Sequence, residues 1–263
     1  MKITEDLGSS HAWTLHRGEL DGHPVFIKRG AEFGSEAAGL RWLAEAGAVA
    51  VPEVLAVDSR TLVLTWVPTT HASAPVAERF GRELARLHAS GASGFGAPWP
   101  GFIAELPMDN RAGDDWPSFY VARRVLPFVR LARDNRQLSP ADVELIEEAC
   151  AYIPEISGPG EPPSRIHGDL WSGNLLWSGD RVTLIDPAAH GGHRETDLAM
   201  LALFGAPHLN TILAAYHEER PLAEGWRERV PMHQLHPLLV HVCLYGEAYR
   251  GSLMSAVAHT LAL

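Results

Sequence analysis

The sequence predicts an α+β protein with a small β-rich N-terminal lobe, a larger mainly helical C-terminal lobe and an active site in the cleft between them. β-type runs and turns crowd the first 67 residues, whereas apolar spacing of helical period governs most of the remainder. A polar hairpin interrupts those helices near residues 165–186. At 263 residues the chain has the length of one or two domains and can hold a core without metals or disulfides.

Residues 1–67 make the first lobe in this reading and 68–263 the second. The Asp21-Gly22 turn and the β-type run Val25-Phe26-Ile27-Lys28 predict antiparallel strands between Leu7 and Lys28. Ser35 is the expected N-cap of a helix striped by Ala38, Leu40, Leu43 and Ala46 and stopped by Gly47. Strands at 54–57 and 61–67 flank the Asp58-Ser59-Arg60 turn, and Pro68 ends the second. From Pro75, the residues Phe80, Leu84 and Leu87 mark a helix that Gly91 terminates. Residues 91–117 show no evident element, but Phe95, Trp99, Phe102 and Trp116 argue for order and function over disorder. Helices follow at 118–135, kinked or divided by Pro127, and at 139–153. In the latter Ser139 caps, Pro140 takes the first position, and Val143, Ile146, Cys150 and Ile153 face inward. After a Pro/Gly connector at 158–164 come short β runs at 165–167, 174–177 and 181–185, the last two a hairpin about Ser178-Gly179-Asp180. Helical patterns then fill 195–205, 207–219 and 231–258.

Composition excludes several classes. Lys plus Arg number 22 against 32 Asp plus Glu, a net charge of −10, so no nucleic-acid or anionic-membrane partner is expected. A phosphate-bearing ligand must be caught by a local arrangement. Cys150 and Cys243 cannot build a disulfide framework or a four-ligand zinc site, which suits a reducing compartment. The first residues lack a signal-like apolar run and no stretch approaches the ~20 residues of a membrane span, so a soluble cytoplasmic protein is expected. No sequence feature specifies an oligomeric state.

The strongest chemical signal is His167-Gly168-Asp169-Leu170-Trp171-Ser172-Gly173-Asn174, followed twelve residues after Asn174 by Asp186. An Asp, an Asn five positions on and a second Asp after the next hairpin is the pattern of phosphoryl transfer. Asp169 would accept the proton of an attacking hydroxyl, while Asn174 and Asp186 would hold Mg²⁺. A plain Asx turn at Asp169 and Asn174 is the bland alternative, disfavoured by the full string with Asp186. Lys28 on its strand and Glu36 on the next helix match a lysine–carboxylate pair that steers an ammonium onto the ATP phosphates. A solubilising lysine at a strand edge would read the same in isolation. Leu7-Gly8-Ser9-Ser10-His11-Ala12 occupies the place of a phosphate-covering loop without matching G-x-G-x-x-G. Thr65, Trp66 and Val67 would join the lobes and present backbone groups to adenine, or simply end a strand.

These residues, with Ile185-Asp186-Pro187-Ala188, Gly192-His193-Arg194-Glu195, the 197–205 run, Asp114-Asp115-Trp116-Pro117 and Val25 to Lys28, resemble the fructosamine kinase (ketosamine-3-kinase) family. That family is a branch of the aminoglycoside phosphotransferase and choline kinase group with a protein-kinase-like fold. The resemblance implies ATP- and Mg²⁺-dependent phosphorylation of the 3-hydroxyl of ribulosamine or fructosamine adducts, small or protein-bound, leading to deglycation of the amine. It implies Asp169 as base, Asn174 and Asp186 as metal ligands, Lys28 and Glu36 with Gly8, Ser9 and Ser10 on the phosphates, and Thr65, Trp66 and Val67 at adenine. Where some relatives carry a loop cysteine His11 stands nearby, so a loop-thiol switch is not expected. An aminoglycoside- or choline-type phosphotransferase and a non-catalytic nucleotide-binding module are the rival readings.

Trp171, His193, Asp115 and Trp116 are candidate substrate contacts. The alternative reading makes Asp115 a helix cap, the two tryptophans packing residues and His193 a satisfied histidine. Asp197 would cap its helix or brace the Asp169 loop. Among fourteen histidines, His190 with His193, or His233 with His236 and His241, have spacings a zinc ion could use, but no H-E-x-x-H accompanies them. A histidine metal site, and with it a zinc hydrolase, is not expected.

Overall fold

The computed structural model describes residues 1–10 and 13–263, so His11 of the expected covering loop lies outside the described residues. The chain opens with β1 (Lys2–Ser10), β2 (Trp13–Leu20) and β3 (His23–Arg29), followed by α1 (Gly34–Glu45), β4 (Val54–Val57) and β5 (Thr61–Thr65). These strands form one antiparallel sheet in the order β1-β2-β3-β5-β4. Strand alternation divides the side chains between two faces. Val25, Ile27 and Val63 bury on one, while Leu62 and Leu64 pack with Phe33, Ala37 and Leu40 on the α1 face. Lys28 pairs with Leu62 across the sheet and shares that α1 face, which brings its ammonium to the helix.

Two expected boundaries shift. Helix α1 begins at Gly34 with Phe33 as N-cap, and Ser35 lies inside its first turn. Glu32 takes over the capping work, accepting the Gly34 N–H at 2.6 Å. Strand β5 ends at Thr65, before Val67: the Trp66 N–H still donates to the Pro24 carbonyl of β3 at 3.2 Å, but Pro24 has no N–H to return the bond.

The remainder is mostly helical. After α2 (Ala74–Ala89), the segment expected to lack elements forms a small hairpin, β6 (Gly101–Ile103) with β7 (Leu106–Met108). Helix α3 (Trp116–Phe119) runs into a π-helical segment, Tyr120–Val125, and then α4 (Leu126–Asp134). Pro127 lacks the N–H of a continuing helix and sits in the first turn of α4, where none is needed. Helix α5 (Pro140–Ile156) starts with a capping box between Ser139 and Asp142. Next come β8 (Ser164–Ile166), the β9–β10 hairpin (Leu175–Ser178, Arg181–Leu184) and the unanticipated β11 (His190–Gly192), which pairs with β8. Helices α6 (Arg194–Phe204), α7 (Leu209–Glu219), α8 (Val230–Tyr245) and α9 (Glu247–Leu261) complete the chain. The single helix expected over 231–258 is broken at Gly246, whose φ of 67° a helix cannot hold.

The largest core cluster joins the π-helical segment with α4, α5, α8 and α9; a second joins α2, the β9–β10 hairpin, α6 and α7. Cys150 and Cys243 are free thiols. Among the described residues no helix is long and apolar enough to cross a membrane.

Candidate active site

Lys28 is only 3% exposed, and its Nζ meets both Glu36 oxygens at 3.0 Å and Asp186 Oδ1 at 2.6 Å. Glu36 is supplied by the first turn of α1 and Asp186 by the residue pair that follows β10, 158 positions away from the lysine. Burial alone would lower the Lys28 pKa, but the two carboxylates outweigh it and raise it, so the ammonium stays charged. The indole of Trp13 and the ring of Phe33 lie 5.7 and 5.9 Å from Nζ and screen it from water.

The loop from β8 to β9 carries the central motif. Gly168 adopts φ of 82°, and a side chain there would strike the Ala188 carbonyl, so the turn that presents Asp169 requires glycine. Asp197 at the start of α6 is fully buried and accepts the backbone N–H groups of His167 at 2.7 Å and Gly168 at 2.9 Å. His167 Nε2 meets the Ile185 carbonyl at 2.8 Å and ties this loop to the end of β10. Asn174 donates to the Asp169 carbonyl at 2.8 Å and to Oδ2 at 3.1 Å. With the amide nitrogen so committed, its side-chain oxygen is the atom available to a cation. Burial, reinforced by the nearby Asp186 charge, pushes the Asp169 carboxyl up to about 7. Trp171 is 40% exposed and lies across Gly173 of its own loop, with its edge toward Phe204 at 6.2 Å.

Lys28, Glu36, Asp169, Asn174, Asp186, Trp171 and Ser10 line one cleft of about 780 Å³. Beside it an apolar slot of about 680 Å³ is lined by Phe26, Leu64, Thr65, Trp66, Val67 and Ile185, and Asp186 borders both spaces. The Thr65 and Trp66 N–H groups are already engaged, donating to the Glu53 and Pro24 carbonyls. Gly8 and Ser9, expected in a covering loop, belong to β1 and do not line the cleft. Gly8 stands at a β-bulge with φ of 95°, its N–H accepted by Asp6.

Asp115, Trp116 and His193 do not reach the cleft, which corrects their expected substrate role. Asp115 caps α3, accepting the Ser118 N–H at 2.9 Å. Trp116 is buried and stacks on Tyr120 at 4.8 Å and His233 at 4.6 Å, with His193 4.9 Å away. His193 caps α6 through the Glu195 N–H at 3.2 Å, and burial drives its pKa down to about 3. Aromatic packing and capping thus claim these side chains. His193 and His233, from two different histidine spacings in the sequence, converge with Glu195 to within metal-binding distance of one another. Arg229 pairs bidentately with the Glu195 carboxylate at 2.6 and 2.9 Å.

The sequence reading passed over three contributors. His88, at the end of the α2 stripe, donates to Asp197 at 3.1 Å and meets the Tyr216 hydroxyl at 2.8 Å; a histidine in register with Phe80 and Leu84 was the available signal. Arg124, buried in the π-helical segment, donates to the Asp109 carbonyl at 2.6 Å, Asn110 Oδ1 at 2.8 Å and His190 at 3.3 Å. The β6–β7 hairpin brings Phe102, Ile103 and Ala104 to the cleft wall.

A small sheet with one helix over a helical lobe, with a lysine, two aspartates and an asparagine around the intervening cleft, defines a protein-kinase-like small-molecule phosphotransferase. Residues 11–263 match the fructosamine kinase family model, and the chain belongs to that family. A ketoamine kinase relative from Thermus thermophilus is 34% identical over 226 residues, covering 86% of this chain and 81% of its own. The crystal structure of a fructosamine-3-kinase homologue from Thermobifida fusca superposes with a TM-score of 0.97 at 50% identity, covering 100% of this chain and 94% of that one. An aminoglycoside phosphotransferase, APH(4)-Ia, solved with ADP and hygromycin B, shares the fold at a TM-score of 0.67 and 14% identity, covering 97% and 92% of the two chains.

Proposed function

We propose that the chain transfers the γ-phosphoryl group of ATP to the 3-hydroxyl of a ketosamine, a ribulosamine or fructosamine adduct that is small or carried on a protein. Loss of the phosphorylated sugar then regenerates the amine. The reading rests on the meeting of Lys28, Asp169, Asn174 and Asp186 around one cleft beside an apolar slot.

In this reading residues 1–67 are the nucleotide-binding lobe and 68–263 the catalytic and acceptor lobe. Thr65, Trp66 and Val67 hold adenine, Ser10 faces the phosphates, and Glu36 aims the Lys28 ammonium at the α- and β-phosphates. Asn174 and Asp186 are hard oxygen donors that fit Mg²⁺, which when bound offsets charge on the transferring oxygens. Asp169, held by Asn174 and by the Asp197-braced loop, accepts the proton of the attacking hydroxyl. Trp171 offers its exposed face to the sugar. The free thiols and the acidic composition support a cytoplasmic site of action.

The test is ATP turnover with Mg²⁺ on ribosyl- and fructosyl-amines beside kanamycin and choline. Turnover of a ketosamine, halted by chelator and restored by Mg²⁺, is the expected result. Preference for kanamycin or choline would assign the chain to another acceptor, and ATP binding without turnover on any would leave a nucleotide-binding module. Asp169→Ala is expected to lower kcat by roughly 10²–10⁴-fold while calorimetry still shows ATP binding. Unchanged turnover in that variant would remove Asp169 from the role of base.

A further inference from the structure

The segment between α2 and α3 supplies one wall of the cleft. Phe102, Ile103 and Ala104 of the β6–β7 hairpin line the same space as Asp169 and Trp171. Strand alternation sends Ile103 and, on the partner strand, Met108 into the large core cluster with Phe95 and Phe119. It turns Phe102 outward, so a phenylalanine stands 36% exposed at the cleft mouth.

The hairpin is held in place rather than draped. Buried Arg124 grips the Asp109 carbonyl and the Asn110 side chain just after β7, while Arg123 pairs with the Asp109 carboxylate at 2.8 Å. Gly101 is pressed beneath Asn110, where an added Cβ would come within 2.8 Å of the amide. Ala104 turns the hairpin at φ of 49°, a conformation an L-residue adopts only under constraint. Trp99 meets Trp42 of α1 edge-on at 5.6 Å and links the segment to the helix that carries Glu36.

Among the described residues the charged groups lining the cleft are Glu32, Glu36, Asp169 and Asp186 beside Lys28, an acidic surface overall. We infer that the β6–β7 hairpin is the acceptor-side wall and that Phe102 is a specificity-determining residue, its ring lying against the sugar C–H groups and the protonated amine of the ketosamine. This rests on the kinase reading above. Phe102 and Trp171, on separate segments, give the cleft two exposed aromatic faces, a pairing that attracts both an apolar sugar face and an ammonium.

The experiment is steady-state kinetics of the full chain with a fructosyl-amine on Phe102→Ala and Phe102→Tyr. The alanine variant is expected to raise the ketosamine KM about 10-fold while the ATP KM stays near the parent value, and tyrosine is expected to restore the ketosamine KM. An unchanged ketosamine KM in the folded alanine variant overturns the assignment. So does an equal rise in the ATP KM, which would make the hairpin a general brace of the cleft. If the unmodified chain binds ATP but phosphorylates no ketosamine, the kinase reading itself fails and the assignment falls with it.

Discussion

Two aspartates near the catalytic loop occupy opposite environments. Asp169 is pushed up to about 7 by burial and by the charge of Asp186. Asp197 is fully buried, which by itself would raise it, but the donors from His88 and His167 hold it below the usual carboxylate range. One carboxyl is thereby raised by burial and a neighbouring charge, and the other is lowered by the donors through which it braces the loop. His88→Ala is expected to lower unfolding stability by about 1–3 kcal/mol, because it leaves a buried carboxylate short of a donor. Denaturant titration checks this, and a variant as stable as the parent would show that water replaces the imidazole. Asp169 and Asn174 were legible because they lie in one contiguous string. His88 was not, since its partners Asp197 and Tyr216 lie 109 and 128 residues away.

Helices α2 and α7 show how element packing reverses a local rule. Gly81 sits inside α2, where replacement by Ala ordinarily stabilises a helix by about 1 kcal/mol. Here an added Cβ would meet the Ile212 carbonyl of α7 at less than van der Waals distance and touch Ala215 at 3.0 Å. Gly81→Ala is therefore expected to destabilise by about 1–3 kcal/mol, read from the urea midpoint. A stabilised variant would mean that the two helices separate at little cost. The elements themselves were largely readable, including the Ser139 cap of α5, the stop at Gly47 and the hairpin about Gly179. The β6–β7 hairpin, β11 and the break at Gly246 were not. Three-residue strands carry too little periodicity to register, and an apolar run does not reveal where two helices part.

Across the molecule, buried histidines set the acid limit. Burial, aided by the neighbouring His233 for one and by Arg124 for the other, drives His193 and His236 down to about 3. Glu195 faces His193 and works in the opposite direction, while Arg194 and Arg229 add to the depression. His190 and His233 are lowered as well. These side chains are neutral in the folded chain and take up protons when it unfolds below about pH 6.5. The unfolded state then binds more protons, so these histidines lose stability as pH drops from 6.5 toward 3, by about 2 kcal/mol at pH 5 for each of His193 and His236. Asp169, raised to about 7, and Glu36, raised by burial, take up protons in the folded chain over the same range and work the other way by a comparable amount. The change in urea midpoint between pH 7.5 and pH 5 is expected to show a smaller loss in His236→Gln than in the parent, and an equal change in both would show that His236 protonates within the fold.

The order of the longer strands and helices, the two-lobed plan and the chemical motif were determined by the amino-acid order alone, because backbone preference, side-chain periodicity and a short motif all act between near neighbours. Which side chains meet was decided by tertiary packing. Lys28 reaches Asp186 because a sheet face, a helix and a hairpin close on one another. The same closure buries Trp116 and His193 away from the cleft and turns Phe102 toward it. Contacts between distant residues follow from how faces are buried, a property of the assembled elements that no single stretch of chain contains.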